Sequence, residues 1–532
     1  MSTIHNRRMP VRRKPAIGFF LGLAFFAAIM FLPPLPSLVS SAQSLIASGS
    51  GLMEAADLAF SMKVVLALLV LMVVWWITEP IPLAVTALLP AVILPLFHVT
   101  GVQGASVHEF TLKNSLLSYA NPVIYLFFGG FLIAAAMQKW HLDRRITLWL
   151  LTRGRLAQSP SLILLAMMTV TAFLSMWISN TACTAMMLPL GLGVLRSMNL
   201  EPGKSNYGTC VMLGIAWAAS IGGVGTIIGT PPNGIALGIL NNTFGADPEF
   251  RRISFLDWMS IGVPYVILYV PVAWGIVRLM NPPEVSSAGP EIRTIFLAER
   301  AALGPMLRGE RLTVGVFLGA AALWVSNPFW GMLLPSSAAA ALSWVDEYFI
   351  GLAAGVVLFL LPVDWTEGTF VLAWKDTRFV DWGTLLLFGG GIALSDAMFR
   401  TGVAAWIASS FIGLLGSPST LVMLFAVVVF MGLLTEVTSN TAVTTMMVPV
   451  VIAIARSAGE NPITLSVGAA IAASMAFMLP VATPPNALVH GTGFVTVRQM
   501  VRSGLVLEVI GWFATVTVVY LFGHVLSGVL NF

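Results

Sequence analysis

Two Ser-Asn-Thr trios, Ser179 to Thr181 and Ser439 to Thr441, stand in otherwise apolar sequence, as do two Thr-Pro-Pro-Asn segments, Thr230 to Asn233 and Thr483 to Asn486. An Asn amide offers a carbonyl oxygen and two N–H donors, and a Ser or Thr hydroxyl can donate or accept. Such a trio can hold an anion through its N–H and O–H groups and a hard cation through its oxygens. Two successive prolines remove backbone donors and bar a continuous helix. The break frees carbonyls for a cation and leaves a half-helix N-terminus that attracts anions. Gly222, Gly223, Gly225 and Gly229 before the first break let backbone approach closely.

Each feature also has a plainer explanation. A single polar trio in a membrane helix is usually packing glue, and a lone Pro-Pro is usually a kink. Four such elements in two matched pairs point instead to a binding site. No Lys or Arg lies within any of the four segments. A bound anion would therefore be held by neutral donors, half-helix dipoles and co-bound cations, which predicts cation dependence.

Three acidic residues are candidates for burial in the membrane, Glu79, Asp396 and Glu436. An intramembrane carboxylate is a functional hypothesis by default. Glu79 precedes Pro80 at a span end, Asp396 lies near another end, and Glu436 sits in the second polar hairpin. His98 and His490 read as boundary or packing residues. Cys183 and Cys210 have no metal-ligand spacing and read as small packing residues.

The elements that must carry these residues are set by composition. The 532 residues are 58% hydrophobic and 9% charged, with a mean hydropathy of +0.90, which no water-exposed globular surface tolerates. An all-α polytopic membrane protein follows. Eleven spans are expected near 16–38, 62–77, 82–97, 119–138, 207–240, 259–278, 312–334, 346–362, 380–398, 464–494 and 505–529. Two further apolar segments with polar middles, 160–195 and 418–455, are expected to dip in and return as re-entrant hairpins. The basic residues before the first span resemble a signal-peptide n-region, but the apolar stretch is too long and lacks a cleavage site, so it is read as a retained helix.

Three features recur in the same order: LFFGG (Leu126 to Gly130) with LLFGG (Leu386 to Gly390), SNTACTAMMLP (Ser179 to Pro189) with SNTAVTTMMVP (Ser439 to Pro449), and GTPPNGIALG (Gly229 to Gly238) with ATPPNALVHG (Ala482 to Gly491). In the expected topology the two copies are separated by an odd number of spans and so run antiparallel. Inverted repeats with paired broken elements suit alternating access to a site near the midplane. A cytoplasmic N-terminus places 21 of the 27 Lys and Arg inside, leaving Lys63, Lys113, Arg251, Arg252, Arg400 and Arg456 outside, in keeping with the positive-inside bias. The net charge of +4 is thus a matter of topology, not a sign of a nucleic-acid partner. The expected parts are a cytoplasmic basic tail (1–15), N-terminal scaffold helices (16–118), a first repeat (119–280), a cytoplasmic linker (281–311), further scaffold helices (312–379), and a second repeat with the final helix (380–532). The C-terminus would then be extracytoplasmic, on an inner (plasma) membrane.

The segment ASMAFMLPVATPPNALV (Ala473 to Val489), together with the paired SNT motifs, closely resembles the divalent-anion/sodium symporter family, which includes sodium-coupled dicarboxylate and citrate carriers. The resemblance runs from about residue 60 to the C-terminus. It implies a homodimer in membrane lipid, with a scaffold part and a transport part that moves like an elevator. It further implies that Asn180, Thr181, Ser439, Asn440 and Thr441, with Pro231, Thr483 and Pro484, contact a dicarboxylate. One Na⁺ would be held by Ser175, Ser179, Asn180 and the Gly229 carbonyl, with Ile228 the nearest alternative. The other would be held by Thr435, Thr438, Asn440 and the Ala482 carbonyl. The expected function is sodium-coupled symport of succinate, malate or fumarate. A sodium-independent exchanger or a citrate or sulfate carrier are alternatives within the same fold, and an anion channel lined by polar rings is one outside it. No nucleophile and base pair, metal-ligand cluster or phosphate loop suggests an enzyme.

Overall fold

The computed structural model describes residues 13–47, 53–103, 106–152, 159–245, 247, 250–285, 291–415 and 419–527. Most of the basic tail, including Arg7, Arg8 and Arg12, and the pair Arg153 and Arg155, fall outside these residues. Helices α1 (Arg13–Phe31) and α2 (Pro36–Ala47) meet at a 65° bend. Pro33, Pro34 and Pro36 in and beside the gap cannot continue the hydrogen-bond ladder. Helix α3 (Ala55–Thr78) packs against α1. Its 24 residues reach about 36 Å at 1.5 Å per residue, enough to cross the hydrocarbon. The short α4 (Leu83–Thr86) and α5 (Leu89–Leu96) follow. A small antiparallel hairpin, β1 (Thr100–Gln103) with β2 (Ser106–Glu109), leads to α6 (Leu112–Leu117).

The first repeat begins with α7 (Pro122–Lys139), followed by the amphipathic α8 (Leu142–Leu151). Helices α9 (Pro160–Ser175) and α10 (Asn180–Ser197) form a hairpin whose turn is the first SNT motif. Helix α11 (Asn206–Gly223) stops short of the Pro-Pro pair, and α12 (Pro231–Phe244) restarts at it, so the expected span 207–240 is two half-helices. Helix α13 (Phe255–Met280) closes the repeat.

The segment expected as a bare linker contains α14 (Glu291–Ala302), which lies on α8 and α10. Arg144 pairs with Glu299, and Arg145 pairs with Glu310 at 3.0 Å. Next come α15 (Arg308–Ser326), α16 (Trp330–Leu333), α17 (Ser336–Ala341) and α18 (Glu347–Leu360), then a second small hairpin of β3 (Pro362–Asp364) and β4 (Thr369–Phe370). The two β-hairpins are additions to the all-helical expectation.

The second repeat repeats the order of the first. It comprises α19 (Trp382–Thr401), α20 (Val403–Leu415), the hairpin α21 (Thr420–Thr435) and α22 (Asn440–Ser457), the broken pair α23 (Pro462–Ala472) and α24 (Pro484–His490), and α25 (Val497–Ser527). Among the described residues seven single helical stretches are long and apolar enough to cross a membrane, and the bent pair α1–α2 makes eight. Of the eleven segments expected to span, 207–240 and 464–494 are broken and 82–97 and 346–362 are short. Conversely α22, expected as a hairpin arm, is itself long and apolar enough to count.

The repeats interlock. The half-helix α12 packs on α22 of the other repeat, and α24 packs on α10 and α11. The first FGG motif also allows close packing on the scaffold. A Cβ on Gly129 would lie 2.0 Å from the Gly351 carbonyl oxygen of α18, so α7 and α18 approach backbone to backbone. Phe127 and Phe388 meet with ring centroids 4.6 Å apart, and Gly234 of α12 fits against both rings.

Candidate functional site

Both hairpin tips and both breaks open on one cavity of about 1420 Å³. Each hairpin turns at an N-cap serine, Ser179 or Ser439, so Asn180 and Asn440 sit at first helical positions with their side chains near the turn. Ser179, Asn180, Thr181, Gly229, Pro231, Thr438, Ser439, Asn440, Thr441, Ala482, Thr483 and Pro484 all line the cavity. Of the site residues expected from the sequence, only Ser175 and Thr435 do not. They stand fully buried directly behind the two asparagines.

Behind each tip lies the same three-oxygen arrangement. Ser175 Oγ is 2.7 Å from Asn180 Oδ1 and 2.7 Å from the Ala219 carbonyl oxygen. Thr435 Oγ1 is 2.6 Å from Asn440 Oδ1 and 2.8 Å from the Ala473 carbonyl oxygen. A hydroxyl has one proton to give. With both amide oxygens turned inward, one short oxygen–oxygen contact in each trio has no hydrogen in it. A hard cation is the natural partner for such an oxygen-rich group.

The breaks are closed by matching asparagines. Asn233 Nδ2 donates to the carbonyls of Gly223 (3.0 Å) and Thr226 (2.7 Å), and Asn486 Nδ2 donates to those of Ala476 and Leu479, both at 3.0 Å. Each amide thus supplies the donors that the interrupted helix lacks, as backbone buried at membrane depth requires. In the first repeat the Thr226 hydroxyl also donates to the Met176 carbonyl. Other groups of the site have secondary engagements. Ser179 Oγ accepts from Ala182 N–H (3.3 Å), Thr483 Oγ1 accepts from Asn486 N–H (3.3 Å), and Thr438 Oγ1 donates to the Trp76 carbonyl (3.2 Å).

The cavity carries no Lys or Arg among its lining residues; its ionisable members are Glu79, Asp381 and His490. Asp381 caps α19, accepting from the Thr384 N–H at 3.0 Å and hydroxyl at 2.6 Å. Glu79 is exposed at the end of α3, as its place before Pro80 suggested. Asp396 is paired with Arg400 at 2.7 Å. Glu436 is buried, and a second buried carboxyl, Glu508 in α25, escaped the sequence reading. Its signal was present: one glutamate within the apolar run Leu505 to Ile510. Cys183 and Cys210 are buried free thiols, as packing residues would be.

A helical membrane protein built from two copies of a polar hairpin and a broken helix, all facing one cavity, has the form of a transporter. The chain belongs to the sodium:sulfate symporter family, whose transmembrane-region profile it matches over residues 16–529; it is a membrane transporter and not an enzyme. Among its relatives is the sodium-dependent dicarboxylate transporter SdcS of Staphylococcus saprophyticus, 36% identical over 468 residues that cover 86% of this chain and 85% of that one. SdcS of Staphylococcus aureus is 33% identical over 533 residues, covering 98% and 94%. The fold also resembles the crystal structure of the Alcanivorax borkumensis YdaH transporter (TM-score 0.53, 13% identity, covering 85% of this chain and 98% of that one). Neisseria gonorrhoeae MtrF is similar at a TM-score of 0.51 and 12% identity, covering 90% and 96%.

Proposed function

We propose that the chain is a secondary carrier that couples sodium to the uptake of C4 dicarboxylates such as succinate, malate or fumarate. The observation that carries the reading is the pair of hydroxyl–amide–carbonyl oxygen trios, Ser175–Asn180–Ala219 and Thr435–Asn440–Ala473. Each is a ligand set for a hard cation. Each lies directly behind an SNT tip that faces the cavity.

The coupling follows from charge. The cavity lining contributes Glu79 and Asp381 but no Lys or Arg, so a dianion entering alone meets no compensating fixed charge. A cation in each trio supplies the missing positive potential within a few ångströms of the carboxylates. Asn180 and Asn440 serve both ligands, turning Oδ1 to the cation and Nδ2 to the anion. The hydroxyls of Thr181, Ser439, Thr441 and Thr483 are further donors, and Pro231 and Pro484 present the half-helix starts. Gly229 and Ala482 add carbonyls at the two breaks. The sodium-dependent dicarboxylate activity named for the two staphylococcal relatives supports the same substrate class.

The protein would work as a homodimer in the inner membrane, N-terminus inside and C-terminus outside. The most apolar window of the stretch Arg308–Leu333 is only 17% buried in the single chain, so lipid or a second copy must cover it. Uptake of labelled succinate into proteoliposomes tests the reading. An inward Na⁺ gradient should drive accumulation, and Asn180→Ala or Asn440→Ala should abolish it while leaving folded protein. Wild-type rates in either variant would sink the site assignment. Uptake that needs internal dicarboxylate but no sodium would identify an exchanger instead.

A further inference from the structure

The cavity opens toward one face of the molecule. Beyond the hairpin tips and breaks, its lining comes from the end of α3 (Ile77, Thr78), the end of α7 (Gln138) and the start of α19 (Gly383, Thr384). These three ends lie together. Lys139, next to Gln138, pairs with Asp376 shortly before α19 at 2.8 Å. The other ends of α3 and α19 meet at the first β-hairpin: Thr100 N–H donates to Ser61 of α3 at 3.0 Å, and a Cβ on Gly101 would lie 2.8 Å from Arg400 of α19.

On the far side the first hairpin tip is covered by aromatic rings. Trp177, two residues before Ser179, stacks on Phe255 at the start of α13 (centroids 6.3 Å apart, planes at 19°) and meets Phe317 of α15 edge-on at 5.1 Å. About two turns further along α15, Trp324 also stacks on Phe255, at 4.6 Å, and donates to the Glu347 carbonyl at the start of α18. The end of α18 belongs to the cavity's face: Leu372 N–H bonds the Leu358 carbonyl, and the neighbouring Val371 carbonyl accepts from Lys139 and Trp140. The start of α18, and with it Phe255 and Trp324, therefore lies toward the opposite face. The second copy lacks this cover. Its position matching Trp177 is Val437, which is 63% exposed and lines the cavity. The Trp177 indole N–H, in turn, is buried without an acceptor among the described residues. An unmet donor costs free energy that water returns on exposure, so a stack that is strong in area holds one group that favours its parting.

We propose that Trp177, Phe255, Phe317 and Trp324 form a one-sided latch. Closed, it seals the site from the far face and holds the cavity open toward the face of Glu79 and Gln138. Its parting, at the contact between Trp177 of the first repeat and Phe317 of the intervening helices, lets the site be reached from the other face. Because the second copy has a valine in place of the tryptophan, the two end states are held unequally, and the latched state is the resting one. The proposal rests on the carrier reading above, since only a carrier needs its site to face both ways. It does not depend on sodium or on the dicarboxylate.

Cysteine labelling reads the latch directly. Cys183 and Cys210 are 1% and 0% exposed, so their background is low, and Val481→Cys places a thiol on a cavity residue that is 86% exposed. A membrane-impermeant maleimide is applied to right-side-out and to inside-out vesicles in buffer without sodium or dicarboxylate. Val481→Cys should react quickly from the cavity's face and slowly from the far face. Far-face labelling reads the minor state, so adding Trp177→Ala should raise its rate at least about tenfold, about 1.4 kcal/mol. Phe317→Ala should act in the same direction, and the two together should go no further than the larger single effect, because both break one contact. Trp177→Phe keeps a ring and should stay within about threefold of Val481→Cys alone. Unchanged far-face labelling in the alanine variants overturns the proposal, as do additive effects or a Trp177→Phe that matches Trp177→Ala. If Trp177→Ala does not fold, Phe317→Ala, at a half-buried position, decides the matter by itself. Shifted labelling beside a wild type that takes up no succinate on a sodium gradient leaves the latch standing and refutes the sodium reading.

Discussion

Gly223→Ala is the substitution that most sharply separates fold from site. Gly223 ends α11, where it faces Asn180; a Cβ there would lie 2.5 Å from Asn180 Oδ1 and 3.1 Å from Nδ2. Restoring an ordinary contact of 3.4 Å requires the amide oxygen to retreat by about 0.9 Å, against a tolerance of about 0.2 Å in metal–ligand distances. The 2.7 Å contact between Ser175 Oγ and Asn180 Oδ1 is lost with it. The backbone itself is not strained, because Gly223, the last residue of α11, is not among the glycines with positive φ. The variant should therefore fold and melt near wild type, yet need at least about tenfold more sodium for half-maximal succinate uptake, about 1.4 kcal/mol. Initial rates in proteoliposomes against sodium concentration measure this. Gly193→Ala in α10, with nothing within 4 Å of the new methyl, is the matched control. A folded Gly223→Ala protein with wild-type sodium half-saturation would refute the placement of Asn180 at a cation.

Asn233→Leu keeps the γ-branched shape but strips two buried carbonyls of their donor, at about 1–3 kcal/mol each; its melting temperature in detergent should fall well below that of Ser44→Ala, whose hydroxyl is exposed and bonds the Ser40 carbonyl. Equal melting of the two would show that the amide does not hold the break. Asp143 tests an electrostatic point on α8, which at ten residues is too short to span a membrane. Burial raises its pKa from 3.8 to about 6, against the opposing pull of the Arg144 N–H. The folded state thus binds the proton more tightly than the unfolded state, and wild-type stability declines as pH rises from about 4 to about 6. Asp143→Asn lacks this slope, so its advantage should grow across that window and level off above it, to about 3 kcal/mol at most. A stability difference that does not vary with pH would refute the burial argument.

How much of this could be read from the chain depends on whether a feature leaves a mark in residue type. The hairpins expected at 160–195 and 418–455 correspond to α9–α10 and α21–α22, because a polar trio inside an apolar run and a cap serine mark the turn. The Pro-Pro breaks were legible for the same reason, although the spans drawn through them were not continuous. Ser175 and Thr435 were reachable only through family resemblance, since a lone hydroxyl in a helix usually bonds its own backbone. The carbonyls of Ala219 and Ala473 have no residue signature at all. Asn233 and Asn486 were visible as parts of a repeated motif, but their role in closing the break depends on carbonyls seven and ten residues upstream. Glu508 was missed because it belongs to no repeated motif, and the comparison of the two copies drew attention only to what they share.

The interlocked packing of the broken helices has a developmental consequence. Because α12 rests on α22 while α24 rests on α10 and α11, each hairpin takes part of its cover from the half-helix of the other copy. During synthesis the first copy leaves the ribosome with its hairpin lacking α24, and it must wait in the bilayer with that flank open until the second copy arrives. A chain carrying one copy alone would have that flank open permanently unless two such chains docked. Within one polypeptide the closing contact is intramolecular, a step of folding and not an encounter between molecules.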